Sequence, residues 1–78
     1  MVSLSQVVNG HSVTVRMVAL ADVRTARQLE AFGILPGRVL VVERAAPFGG
    51  PVMVRLGSSR YALGRTVCDR ILVEPEAV

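Results

Sequence analysis

A small, mainly β barrel with one α-helix after its first strand is the fold class this sequence predicts, on three observations. The chain has 78 residues, the length of one domain. Its strand-like runs are short, rich in β-branched residues and separated by Gly- and Pro-bearing turns. Only the segment from Val23 to Phe32 carries apolar residues at helical spacing over several turns. Closing several short strands on themselves removes the exposed edges a flat sheet of this size would leave.

Each element follows from local chemistry. Ser3 and Gln6 have the spacing of a capping box and Asn9-Gly10 supplies a stop, which predicts one short helical turn over Leu4 to Val8. From Ser12 to about Leu20 the chain alternates, placing Val13, Val15 and Met17 on one face of a strand. Asp22 is a good N-cap for the helix. Val23, Ala26, Leu29 and Phe32 form its apolar stripe, leaving Arg24, Arg27, Gln28 and Glu30 for solvent. Gly33 sits where a left-handed C-terminal cap is needed, and Ile34-Leu35 form an apolar hook between two turn signals. Pro36-Gly37 then has the residues of a type II turn.

Strand chemistry resumes from Val39 to Ala45 and stops at the loop Pro47-Phe48-Gly49-Gly50-Pro51. Val52 to Leu56 and Arg60 to Leu63 read as a hairpin around Gly57-Ser58-Ser59. Gly64 to Asp69 has room for a single helical or 3₁₀ turn, and Arg70 to Glu74 returns to strand before Pro75. The sum is an SH3-like five-stranded barrel with one α-helix and short helical turns, occupying residues 1–75, with 76–78 as a C-terminal tail.

Composition narrows the chemistry. Apolar residues make up 51% of the chain and charged ones 19%, so apolar side chains outnumber the positions a small core can hide and some remain for a partner. The apolar runs are broken by Arg, Gly or Pro well before the roughly 18 residues a bilayer-spanning helix requires, which argues against direct membrane insertion. The N-terminus has no basic region followed by a long apolar stretch, and Cys68 is the sole cysteine; both favour a cytoplasmic location. All nine basic residues are arginine, for a net charge of +3. Without lysine there is no Walker-type phosphate loop and no Schiff base.

Several of these segments together resemble the FeoA family of ferrous-iron transport accessory proteins. Phe32-Gly33-Ile34-Leu35-Pro36-Gly37 is similar to the family's central lGl.pG element, and Ala46-Pro47-Phe48-Gly49-Gly50-Pro51 to its aPlGdP loop. Leu4 with Gly10, the strand Val13 to Val18, Tyr61-Ala62-Leu63 and Ile71-Leu72-Val73-Glu74 match the flanking pattern in order and spacing. There are departures: Gly50 stands where an acidic residue is common, Gly64 precedes Arg65 where the arginine is usual, and Cys68 replaces a small residue. The resemblance implies an SH3-like barrel that docks on the cytoplasmic G-protein domain of a membrane ferrous-iron transporter, without catalysis. Similar barrels form a domain of iron-dependent repressors, and the expectation here is a chain with no DNA-binding helix-turn-helix before it.

Partner-binding candidates fall in three places. Pro47, Phe48, Gly49 and Pro51 offer an aromatic anchor on a loop stiffened by two prolines, the competing reading being a connector with Phe48 folded onto the core. Leu35 faces the same choice. Arg24, Arg27 and Gln28 share a helix face that would suit an acidic patch, though such faces are commonly just solvated. His11 and Cys68 are the weak metal candidates; one imidazole and one thiol fall short of a four-ligand zinc site, and no cofactor is expected, with ferrous iron the only ion that enters the argument.

Cys68 reads better as a buried structural thiol than as a nucleophile, and no Gly-x-Ser-x-Gly elbow supports an enzyme. The basic balance raises a nucleic-acid-binding barrel as the alternative, but Phe32, Phe48 and Tyr61 are too few aromatics for a stacking platform. The same poverty, with no tryptophan, argues against a groove for proline-rich peptides. Pairing through a strand edge leaves a weak homo-oligomer open.

Overall fold

The β-branched runs form strands and the single amphipathic segment forms the helix. The computed structural model describes residues 1–76. In chain order the elements are β1 (Val2–Ser3), a 3₁₀ turn (Leu4–Gln6), β2 (Ser12–Val18), α1 (Val23–Phe32), β3 (Val39–Ala45), β4 (Val52–Leu56), β5 (Ser59–Leu63), α2 (Arg65–Cys68) and β6 (Ile71–Pro75). The six strands make one antiparallel sheet in the order β1-β6-β2-β3-β4-β5. β2 is the hinge of this sheet, pairing with β3 through Ser12 to Thr14 and with β6 from Val13 to Val18.

The class is as expected, mainly β and SH3-like, but two features of the barrel need correction. Among the described residues there are six strands rather than five, because Val2 and Ser3 pair with Val73 and Leu72. The sheet is also not closed, since β1 and β5 are its two ends. The helix packs on the inner face beside one of these ends: Phe32 at the end of α1 stacks on Tyr61 of β5, ring centroids 4.3 Å apart and planes within 13°. The tail assigned to residues 76–78 lies outside the described residues except for Glu76, whose N–H bonds Ser12 O.

The core is made where inward faces meet. Val13, Val15, Leu40, Val42, Val52, Val54, Leu63, Ile71 and Val73 come from the strands; Leu4, Leu29, Ile34 and Cys68 complete it. The strands that cross the middle alternate buried residues with half-buried or exposed ones, β2 only as far as Val15, as a half-solvated antiparallel sheet must.

Met17 breaks that alternation, contrary to expectation. The ladder between β2 and β6 slips between Val15 and Met17, so Arg16 is an extra residue and the phase inverts. Met17 is therefore 49% exposed, and Val18 packs on the core instead. β2 also ends at Val18 rather than near Leu20. The N-terminal turn is tighter than expected, and its capping box does not form: Ser3 Oγ meets Ser5 Oγ instead of a backbone N–H.

α1 behaves as its caps dictate. The Asp22 carboxylate accepts from Thr25 Oγ1 at 2.7 Å and from Arg24 N at 3.1 Å, and these bonds hold its pKa below the ordinary value. Of the expected stripe only Leu29 is fully buried; Phe32 packs against the core, Ala26 is half-buried and Val23 is exposed, so the helix touches the core through its C-terminal half. There Gly33 takes φ 90°, its N–H reaching Glu30 O, while Ile34 N reaches Leu29 O at 2.8 Å. This is a Schellman cap, completed by Ile34 joining Leu29 in the core. Leu35-Pro36-Gly37-Arg38 forms the expected turn, with Gly37 at φ 94° and Arg38 N on Leu35 O.

Candidate functional site

The loop between β3 and β4 is where the chain spends conformational strain. Ala46 N bonds Pro51 O at 2.9 Å, which closes the loop base, and Gly50 N bonds Pro47 O at 3.2 Å, which closes a four-residue turn. Its central residues Phe48 and Gly49 both have positive φ, 59° and 73°, the pattern of a type I′ turn that normally takes Asn or Gly first. Phe48 is the only described non-glycine residue in that region. Its ring touches no core: relative exposure is 104%, which rules out the reading of Phe48 folded inward.

What holds the loop is a residue that local sequence reasoning missed. Arg65, at the start of α2, donates from Nε to Gly50 O at 3.1 Å and from NH2 to Ala46 O at 3.0 Å, so one guanidinium fork gathers both arms of the loop. The separations of 15 and 19 residues explain why no local pattern announced it. Gly50 belongs to the same lock: a Cβ there would stand 2.8 Å from the Ala46 Cβ and 3.2 Å from Pro47 O. The acidic side chain common at this place in the resembling family has no room in this turn as it is closed here.

The other candidates lie apart from the loop. Arg24, Arg27 and Gln28 are exposed on one face of α1, and no hydrogen bond or ion pair ties them to the loop among the described residues. Leu35 is half-buried and lines a shallow cleft of about 330 Å³ with Met17, Ala26 and Pro36, rimmed by Arg16 and Glu30. Pro47, Gly49 and Pro51 are exposed around Phe48.

The weak metal candidates His11 and Cys68 lie in different surroundings. His11 is exposed, Cys68 is sealed in the core, and no group of three or more His, Cys, Asp or Glu side chains that could hold an ion occurs among the described residues. Burial pushes the Cys68 thiol up to about 11 against the opposing pull of Arg65, so it stays protonated at neutral pH. Among the described residues no helix is long and apolar enough to cross a membrane.

The outer face of β3, β4 and β5 holds a second cluster unforeseen from sequence. The ladder between β3 and β4 slips between Val42 and Arg44, leaving Glu43 as the extra residue of a bulge. The Glu43 carboxylate reaches Arg60 Nε at 3.1 Å and Arg55 Nε at 3.4 Å.

A small SH3-like domain is the class this fold defines. Within it, the chain belongs to the FeoA family, whose domain model matches residues 2–75. The solution structure of the FeoA protein from Chlorobium tepidum superposes with a TM-score of 0.88 at 31% identity, over 96% of this chain and 70% of that one. The crystal structure of an iron uptake regulatory protein, FeoA, gives 0.83 at 25% identity over 96% of both chains. Stenotrophomonas maltophilia FeoA, a prokaryotic SH3 domain protein solved with zinc, gives 0.81 at 27% identity over 95% of this chain and 91% of that one; a role as a bacterial ferrous iron transport activating factor has been suggested for it. A manganese-dependent transcriptional repressor also matches, with TM-score 0.85 and 26% identity over 95% of this chain, but the chain spans only 41% of the repressor. No curated protein sequence matches the chain.

Proposed function

We propose that this chain is an accessory protein of ferrous iron uptake that acts by docking, without turnover, on the cytoplasmic G-protein region of a membrane ferrous-iron transporter. The observation that carries the reading is Phe48: a fully exposed aromatic ring, held at positive φ on a loop locked by Arg65. A large apolar side chain kept out of the core at a conformational cost is suited to fill a pocket elsewhere, and a pre-ordered loop loses little entropy when it does. Family membership supplies the link to ferrous iron transport. The exposed Arg24, Arg27 and Gln28 face is the secondary contact, suited to an acidic patch.

Amide-proton shifts of the labelled chain, on adding the transporter's cytoplasmic domain with and without guanine nucleotide, test this. Shifts concentrated at Phe48, Gly49 and the Arg24 to Gln28 face are the expected result, and Phe48→Ala should weaken binding by more than ~1 kcal/mol. An unchanged spectrum in both nucleotide conditions would overturn the reading.

A further inference from the structure

An open sheet has ends, and the two ends here are unequal. β1 is two residues long; β5 is five. Among the described residues β5 has β4 as its single ladder partner, and no backbone group from Ser59 to Leu63 makes a backbone hydrogen bond outside that ladder. The two-residue turn Gly57-Ser58 makes Leu56 and Ser59 a bonded pair, so Tyr61 and Leu63 also bond inward. The N–H and C=O groups of Arg60 and Ala62 consequently point away from the sheet, and both residues are exposed. This is a free template for one more strand.

The charge beside that edge is one-sided. Arg60 lies opposite Arg55 across the ladder, and Arg44 opposite Met53, which puts three guanidiniums on the outer face with the single carboxylate of Glu43. Arg44 has no carboxylate within ion-pair distance among the described residues. Arg60, the residue at the edge itself, keeps 68% of its side chain exposed even while paired. A strand arriving at β5 would lay alternate side chains against this face.

We propose that β5 accepts an extended, acidic segment of a partner protein as a seventh strand, its backbone bonding Arg60 and Ala62 and its carboxylates meeting Arg60, Arg55 and Arg44. Backbone pairing demands a peptide, and the excess of guanidinium selects an acidic one. Two other occupants fit less well. A second copy paired through β5 would bring two arginine clusters together and is opposed by like charge. A nucleic acid would meet phosphate-binding arginines but no stacking surface, because Tyr61 lies on the other face beneath Phe32. The proposal does not depend on the Phe48 contact: either surface can fail while the other stands.

The test uses the whole chain, uniformly labelled with nitrogen-15, and three probes. These are a short end-blocked peptide of alternating glutamate and valine, the same peptide with lysine for glutamate, and a single-stranded oligonucleotide. With the glutamate peptide, the Arg60 and Ala62 amides should shift and their hydrogen exchange should slow by about tenfold or more, the sign of strand addition rather than loose charge pairing. Arg60→Glu, a surface change, should weaken that binding by about tenfold and leave the free chain's spectrum folded. No response at β5, an equal response to the lysine peptide, a response to the oligonucleotide alone, or pairing of β5 with itself on concentration would each overturn the proposal.

Discussion

The segments from Leu29 to Arg38 and from Ala46 to Pro51 use the same materials to opposite ends. Each sets apolar residues beside a proline and a glycine, and each contains two residues at positive φ. In the first, the glycines take the left-handed positions, Gly33 at 90° and Gly37 at 94°, and Ile34 drops into the core with 1% exposure. In the second, Phe48 itself takes one of them and stays in water. A left-handed non-glycine residue costs about 1–2 kcal/mol, and the exposed ring recovers none of this by burial. Where glycine takes the strain, the neighbouring side chain serves stability. Where the aromatic takes it, stability gives no reason for the choice, and a surface role does.

The largest effect should come from the buried hook. Ile34→Ala removes a fully buried side chain at the junction of α1 with the sheet and should destabilise by about 2–5 kcal/mol in urea unfolding. In so small a domain that is a large share of the whole. A loss below about 1 kcal/mol would show that the Schellman cap closes without its apolar contact, and the contrast between the two segments would shrink to one of backbone only.

Next comes the lock on the exposed loop. Arg65→Met keeps much of the side chain's bulk but removes both bonds to Gly50 O and Ala46 O, and should cost about 1–3 kcal/mol. Amide exchange should locate the loss: the Gly50 N–H, bonded to Pro47 O, should exchange faster while core amides such as those of Val13 and Val73 slow or hasten only with global stability. Uniform faster exchange throughout would mean that Arg65 supports the whole sheet and that the loop is not separately held.

How legible each segment was in sequence follows from the range of the forces that shape it. The Asp22 cap, the Gly33 cap and the Pro36-Gly37 turn are settled within a few residues of chain, and the residues named for them from sequence are the ones that form them. Met17 was misplaced because the Arg16 bulge is a property of the pairing between β2 and β6, whose strands are distant in sequence. The Glu43 bulge joins neighbouring strands, yet it too is a property of their register and not of either strand's own pattern, so the arginines it gathers have no signal in the sequence. The strand Val2–Ser3 is too short to have a periodicity, and the openness of the sheet depends on how far its ends come apart in space. Phe48 was singled out from sequence, but its exposure was not, since Pro-Phe-Gly-Gly has no signal for which way the ring turns.

The smallest expected effect has the sharpest sign. Asn tolerates positive φ where a bulky aromatic does not, so Phe48→Asn should relieve the turn and raise stability by a few tenths to about 1 kcal/mol in urea unfolding. Nothing is lost on the other side of the balance, because the ring buries no surface in the free chain. The same substitution should weaken binding to the transporter's cytoplasmic domain, so the two measurements move in opposite directions. That opposition is the signature of a residue kept for a partner rather than for the fold. If Phe48→Asn instead lowers stability, the ring contributes to the free domain after all, and the division between a segment built for the core and one built for the surface does not hold.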